Sequence, residues 1–307
     1  MSAMSSDRFL RRYDAMCCDA AAAVMKQYST SFTMATKLLP GQTKVDIRNL
    51  YAVVRIADEI VDGTAQQASV ADVSALLDAY EVAVLAAPSQ RFHSDPILHA
   101  YAQTARRCAF DPAHITAFFT SMRRDANQTT YTQNDFDEYV YGSAEVIGLL
   151  CLSTFTAGMP FSPAVEAKLA EGARSLGAAF QKVNFLRDIA VDSRELGRSY
   201  FPGINPAANQ PLDDAAKDAI VADIRADLAV ARQSIGLLPR RVRAGVVAAA
   251  DLFEELTNMI DVTPAAVLAT TRISVPRRRK LWLTARAASR VAGQRQSMSS
   301  FSEDPRQ

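Results

Sequence analysis

Residues 162–197 read SPAVEAKLAEGARSLGAAFQKVNFLRDIAVDSRELG, and their reading decides the fold class. Ser162 is a favoured N-cap residue and Pro163 is pre-set for the first helical position. No further proline interrupts the stretch before Gly197, a natural stop. The spacing therefore predicts one long helix. Along it Gly177, Gln181, Asn184, Asp188 and Asp192 recur at steps of four, three, four and four, which keeps them on one face. Their neighbours Leu176, Ala178, Ala179, Phe180, Val183, Phe185, Leu186 and Ile189 are apolar. A helix so apolar elsewhere is expected inside the protein, with its polar row turned toward something other than bulk water.

The same pattern occurs upstream. From Thr43 to Asp62, Val45, Leu50, Val53, Val54, Ala57, Ile60 and Val61 recur at helical steps, and Gly63 stands where a C′ glycine belongs. Tyr51, Arg55, Asp58 and Asp62 form the polar row, with Glu59 beside it. Further helices are expected over 7–35, 69–87, 94–108, 112–124, 134–158, 213–235, 240–261 and 264–290. Loops are marked at 88–96 and 200–213. No run alternates as a strand would, no repeat recurs, and no linker splits the chain. The expected fold is all-α, a single-domain helical bundle over 1–290, with 291–307 as a disordered tail.

Composition excludes more than it reveals. Lys and Arg number 34 against 33 Asp and Glu, a net charge of +1, so no overall field attracts nucleic acid. At 49% hydrophobic the chain can fill a core, which excludes wholesale disorder. Only 12 Gly and 13 Pro in 307 residues argue against a turn-rich all-β protein. Cys17, Cys18, Cys108 and Cys151 show no C-x-x-C spacing, and His93, His99 and His114 no metal-binding spacing, so reduced thiols are expected. The first residues lack the apolar segment of a secretory signal, and no run approaches the roughly 18 apolar residues of a spanning helix. A cytoplasmic protein is expected, at most peripheral on the inner face of a membrane.

A single Asp pair four apart is common on solvated helix faces, where mutual repulsion costs only about 0.2–0.5 kcal/mol. Two such pairs on apolar helices are different. Four carboxylates facing a shared space repel and lose water. Divalent cations shared with phosphate oxygens relieve both, and Mg²⁺ needs only one or two carboxylates per ion. Arg55 and Arg187 lie within a turn of the pairs and suit phosphate. The combination points to a metal-dependent diphosphate site beside an apolar cavity, and so to prenyl diphosphates.

These residues resemble the squalene/phytoene synthase family of head-to-head prenyl transferases. The resemblance rests on Tyr28-Ser-Thr-Ser-Phe32 with Leu38-Leu-Pro40, Leu50-Tyr-Ala-Val-Val-Arg-Ile-Ala-Asp-Glu-Ile-Val-Asp62, Tyr139-Val-Tyr-Gly-Ser-Ala-Glu-Val-Ile-Gly148, Gln181-Lys-Val-Asn-Phe-Leu-Arg-Asp188 with Asp192, and Arg198-Ser-Tyr-Phe-Pro202. The wording of the third and last is most like bacterial phytoene synthases. The resemblance implies an isoprenoid-synthase bundle around a central apolar cavity. It implies Mg²⁺, replaceable by Mn²⁺, on Asp58, Asp62, Asn184, Asp188 and Asp192, with those four aspartates and Tyr139 catalytic. Tyr28, Ser29, Thr30, Ser31, Tyr51, Arg55, Gln181 and Arg187 would contact substrate diphosphates. The implied reaction ionises one diphosphate, forms a cyclopropyl diphosphate intermediate, and rearranges it.

Two geranylgeranyl diphosphates would give phytoene, without NADPH. The alternatives are a squalene or dehydrosqualene synthase using farnesyl diphosphate, a non-catalytic prenyl-binding or assembly protein, and a scaffold with solvated acidic stripes. Three positions depart from the family. Tyr28 replaces a His or small polar residue, Thr30 a basic one, and Phe253 a tyrosine that some members carry. Glu59 is expected behind the metal site. Arg277, Arg278, Arg279 and Lys280, ahead of Trp282, read either as a solvated helix end or as a patch for anionic membrane. Oligomeric state is not legible.

Overall fold

The computed structural model of the chain describes residues 7–299, and its regular structure is helical. In chain order the helices are α1 (Asp7–Tyr28), α2 (Thr30–Thr36), α3 (Gly41–Val61), α4 (Thr64–Gln67), α5 (Val73–Ala86), α6 (Pro96–Cys108), α7 (Pro112–Asn127), α8 (Gln133–Val140), α9 (Val146–Thr156), α10 (Pro163–Glu195), α11 (Asp214–Ile235), α12 (Arg240–Asp261), α13 (Ala265–Leu268) and α14 (Arg277–Ser299). Among the described residues β pairing is confined to isolated bridges, Thr130 with Ser199 and Asn205 with Gln210. No described helix is long and apolar enough to cross a membrane.

Local chemistry explains most boundaries. Asp72, Asp95, Asp111 and Asp213 each accept a hydrogen bond from a first-turn amide, and Thr132 with Asp135 forms a reciprocal capping box. The two motif helices begin and end close to their expected bounds. Gly63 and Gly197 take φ of +99° and +64°, a conformation that suits glycine as the chain turns off each helix.

Three expected helices differ. The stretch 7–35 breaks at Ser29, which adopts φ −140° and caps α2 by accepting from the Phe32 amide at 3.2 Å. The stretch 264–290 is two helices. Between them lie Thr270, Thr271, Ile273 and Val275, β-branched residues that disfavour helix, and Pro276, which disfavours it in the residue before. The helix expected at 134–158 contains a π segment, Tyr141–Glu145, joining α8 to α9. Helix α14 continues to Ser299, past the tail boundary set at 291. Residues 300–307 of that tail lie outside the described residues.

The motif helices belong to different apolar clusters. Leu50, Val53, Ala57 and Ile60 of α3 pack with residues of α1, α5, α6, α7 and α9. Ala178, Ala179, Val183, Leu186 and Ile189 of α10 pack with α8, α11, α12 and the loop after Arg198. At Gly148 an added Cβ would lie 2.1 Å from the Ala173 carbonyl oxygen. At Gly177 it would lie 2.4 Å from that of Ala144, so α10 meets α9 and the π segment backbone to backbone.

Candidate active site

On α3 the first acidic row ends the helix, Asp62 being its C-cap residue. Asp58 keeps 30% of its side-chain surface, yet it sits in a recess crowded by protein. Loss of water there, then the charge of Asp62, pushes its carboxyl well above the usual range, against the pull of Arg55 3.6 Å away. Arg55 also pairs with Glu59 and lies over the Tyr28 ring, 4.3 Å from its centroid. Glu59 accepts from Thr64 as well. Those two bonds outweigh burial and hold its carboxyl below the usual range. The Nε of Arg55 is buried without a partner. Tyr51 lies behind, its phenol pushed up to about 12 by burial.

On α10 the second row begins with a strongly paired acid. Asp188 accepts from Arg187 Nε at 2.9 Å, again from Arg187 Nη2, and from Arg272 Nε at 2.6 Å. Burial opposes its charge, but these bonds prevail and its carboxyl falls below the usual range. Asp192, one turn on, has no such partner among the described residues. Burial first, then the charges of Asp188 and Asp62, push it up to about 8. Asp62 and Asp192, the last acids of the two rows, come together around Arg198. Gln181 and Asn184 are half-buried on the same row.

Arg198 joins the rows at one end. Its guanidinium is buried and donates from Nη1 to Asp62 Oδ1 at 2.8 Å and from Nη2 to the Val61 carbonyl at 2.8 Å, an unpaired oxygen at the end of α3. Its backbone amide donates to the Asp192 carbonyl at 2.9 Å. Beside it Asp125 accepts from the Tyr139 hydroxyl at 2.6 Å and the Tyr200 hydroxyl at 3.0 Å. Burial raises Asp125 to about 6 despite Arg198 and Tyr139. The rings of Tyr139, Tyr200, Tyr131 and Phe185 pack around this group, Phe185 stacked on Tyr200 at 4.1 Å.

The opposite wall is cationic. Lys280 donates to Thr30 Oγ1 at 2.7 Å, and burial, then the charges of Arg187 and Arg272, lower its ammonium. Three cations thus gather beside the α2 turn, more than Asp188 alone neutralises. Next to them Phe32, Phe180 and Phe253 form an apolar wall, Phe180 stacked on Phe253 at 3.7 Å and Tyr51 6.1 Å from Phe32.

Of the sequence-derived residues, Asp58, Asp62, Asp188, Asp192, Arg55 and Arg187 surround this region. Tyr139 lies against its Asp125 end, and Tyr28, Thr30 and Tyr51 line the α2 side. Ser29 is occupied as a helix cap. Among the described residues the side chains of Ser31, Gln181 and Asn184 have no hydrogen-bond partner. Asp125, Arg272 and the inward turn of Lys280 are not apparent in the sequence. Asp125 ends a helix with no motif about it, and Arg272 falls in a stretch that reads as helix. Lys280 is masked by the three arginines before it. Of those, Arg279 pairs with Glu255 at 2.8 Å.

Among the described residues no three carboxylate, imidazole or thiol groups converge as a closed metal cage. The donor set nevertheless suits a hard cation shared with phosphate. Asp58 and Asp192 are crowded carboxylates raised by burial and then by neighbouring negative charge, and among the described residues neither side chain accepts a hydrogen bond.

The helical bundle has counterparts among solved structures. A dehydrosqualene synthase crystallised with a ligand superposes with a TM-score of 0.75, at 21% identity, covering 94% of this chain and 99% of the other. Residues 25–279 match the family model for squalene/phytoene synthase, and the chain belongs to that family. It is 33% identical over 181 residues to a 15-cis-phytoene synthase of a Paracoccus species, covering 58% of this chain and 57% of the relative. It is 28% identical over 264 residues to a phytoene synthase of Mycobacterium tuberculosis, covering 80% and 82%. A 4,4'-diapophytoene synthase of Staphylococcus haemolyticus is 29% identical over 180 residues, covering 58% and 59%. The chain spans about half the length of the first curated relatives it matches.

Proposed function

We propose that the protein is a prenyltransferase that joins two prenyl diphosphates head to head, two geranylgeranyl diphosphates giving phytoene through a cyclopropyl diphosphate. The observation that carries this reading is the pair of acidic rows whose last acids come together around Arg198, with surplus cations on one flank and an aromatic wall beside them. Asp58, Asp62, Asn184, Asp188 and Asp192 would hold Mg²⁺ or Mn²⁺, which neutralises the departing diphosphate. Arg55, Arg187, Arg272 and Lys280 would bind the phosphate oxygens, since their charge exceeds what their carboxylate partners consume. Phe32, Phe180 and Phe253 exclude water from carbocations. Tyr139, held by Asp125 at 2.6 Å, would present its hydroxyl oxygen toward the reacting chain.

No NADPH is required on this reading, and the enzyme would work on the cytoplasmic side. The test is incubation with geranylgeranyl or farnesyl diphosphate and Mg²⁺, with and without NADPH, followed by product analysis. Phytoene from the twenty-carbon substrate without NADPH is the expected result. A thirty-carbon product would assign the protein to fifteen-carbon substrates, and no condensation product from either would overturn the proposal.

A further inference from the structure

Helix α14 carries Arg277, Arg278, Arg279, Lys280, Arg286, Arg290 and Arg295, and not one acidic residue. In a chain of net charge +1 that is a strong local surplus. Its inner face is consumed by packing, with Leu283 and Ala287 buried, Ala287 against Ala35 and Ala248. The outer face holds Leu281, 53% exposed, and Trp282, 48% exposed. Trp282 is not a loose end. The Arg279 and Arg286 guanidinia lie 4.5 and 4.7 Å from its ring centroid. Both are anchored in turn, Arg279 on Glu255 and Arg286 on Asp251 at 3.0 Å. The indole is therefore held outward by a fixed frame. Arg277 and Arg278, at the start of the helix, are exposed and without a carboxylate partner among the described residues.

We propose that this face of α14 docks the protein on an anionic lipid surface, with Arg277 and Arg278 against headgroups and Leu281 and Trp282 at the acyl boundary. A fixed, half-exposed indole beside an aliphatic side chain suits the interfacial zone, where Trp is favoured for its apolar body and polar N–H. Each unpaired basic residue near an anionic bilayer strengthens partitioning about fivefold, so attachment is reversible and salt-sensitive. The charge complementarity favours lipid over a second copy of the chain, because two copies of this face would oppose arginine to arginine. Lys280, on the adjoining side of the same turn, points inward to Thr30. The docking face and the cationic wall of the site are thus two sides of one helical turn. The inference does not depend on which prenyl chain the protein uses, or on catalysis.

Trp282 is the chain's one tryptophan, so intrinsic fluorescence reports this site alone. The full-length protein is titrated with phosphatidylcholine vesicles containing phosphatidylglycerol, and with phosphatidylcholine alone. Expected are a blue shift, quenching by brominated acyl chains, and co-flotation, with anionic vesicles only. The double variant Arg277→Gln/Arg278→Gln should weaken partitioning by about tenfold or more with unchanged helicity. Unchanged emission with anionic vesicles overturns the proposal. So does equal partitioning of the double variant, or a blue shift that follows protein concentration, with mass doubling by light scattering and no lipid present.

Discussion

The two acidic motifs share a spacing but not an electrostatic state. On α10, Asp188 is gripped by Arg187 and Arg272 and held strongly ionised, while Asp192 one turn on is pushed up to about 8. On α3 the order is reversed. The inner Asp58 is the raised group, and the terminal Asp62 is tied to Arg198. Each motif thus pairs one neutralised carboxylate with one that lacks adequate countercharge. Identical residue types at identical steps take different roles because the second helix brings basic neighbours and the first ends at a buried arginine. At the two raised acids an external positive charge would favour the ionised carboxylate that burial and like charge oppose.

The largest effect should come from removing one acid of each motif. Asp58→Ala or Asp188→Ala is expected to lower product formation by about 10³-fold or more with Mg²⁺ present, leaving the far-ultraviolet circular dichroism intact. Near-normal turnover in either variant would sink the site assignment. Next, Arg198→Met releases Asp62 and the end of α3 together, and should weaken Mn²⁺ binding, followed by electron paramagnetic resonance, by about tenfold. Arg198→Lys, which retains charge but cannot reach both acceptors, should fall between the two. If Arg198→Met binds Mn²⁺ like the parent, the tie is structural only.

A smaller effect tests the cationic wall. Arg272→Ala should raise KM for the prenyl diphosphate about tenfold, with a lesser change in kcat, because it removes ground-state binding. The smallest effect concerns pH. Asp192 is raised in the folded state, so the native protein binds the extra proton between about pH 4, the ordinary Asp range, and about pH 8. Stability contributed by this site therefore falls as pH rises through that window. In chelator, Asp192→Asn should unfold a few degrees above the parent at pH 8, and the gap should narrow toward pH 5. A gap constant with pH would show that Asp192 is not the strained group.

The helices and the acidic rows were legible in the sequence because both are local. Periodicity, Ser162, Pro163, Gly63 and Gly197 are read within one element, and the structure places the helix ends at them, although Ser162 holds the N-cap position without a side-chain capping bond. The partners of those rows were not legible. Asp125 meets Tyr139 and Tyr200 across two loops, and Arg272 reaches Asp188 across 84 positions. No spacing rule connects such residues. The break at 269–276 was missed because the apolar pattern continues through it, while β-branched residues and Pro276 decide against a helix. Lys280 shows the same limit, since four adjacent basic residues look equivalent until helix geometry sends them in different directions.

The close approach at Gly148 and Gly177 bears on how such a protein could be re-tooled. A backbone-to-backbone seam leaves no side chain to trim or enlarge, so the spacing between α9 and α10 cannot be tuned by small steps. A directed-evolution library seeking a different chain length would return no functional clones altered at these two positions. Adaptation would have to come from positions such as Phe32, Phe180 and Phe253, which pack through their rings and so offer side chains that can be trimmed.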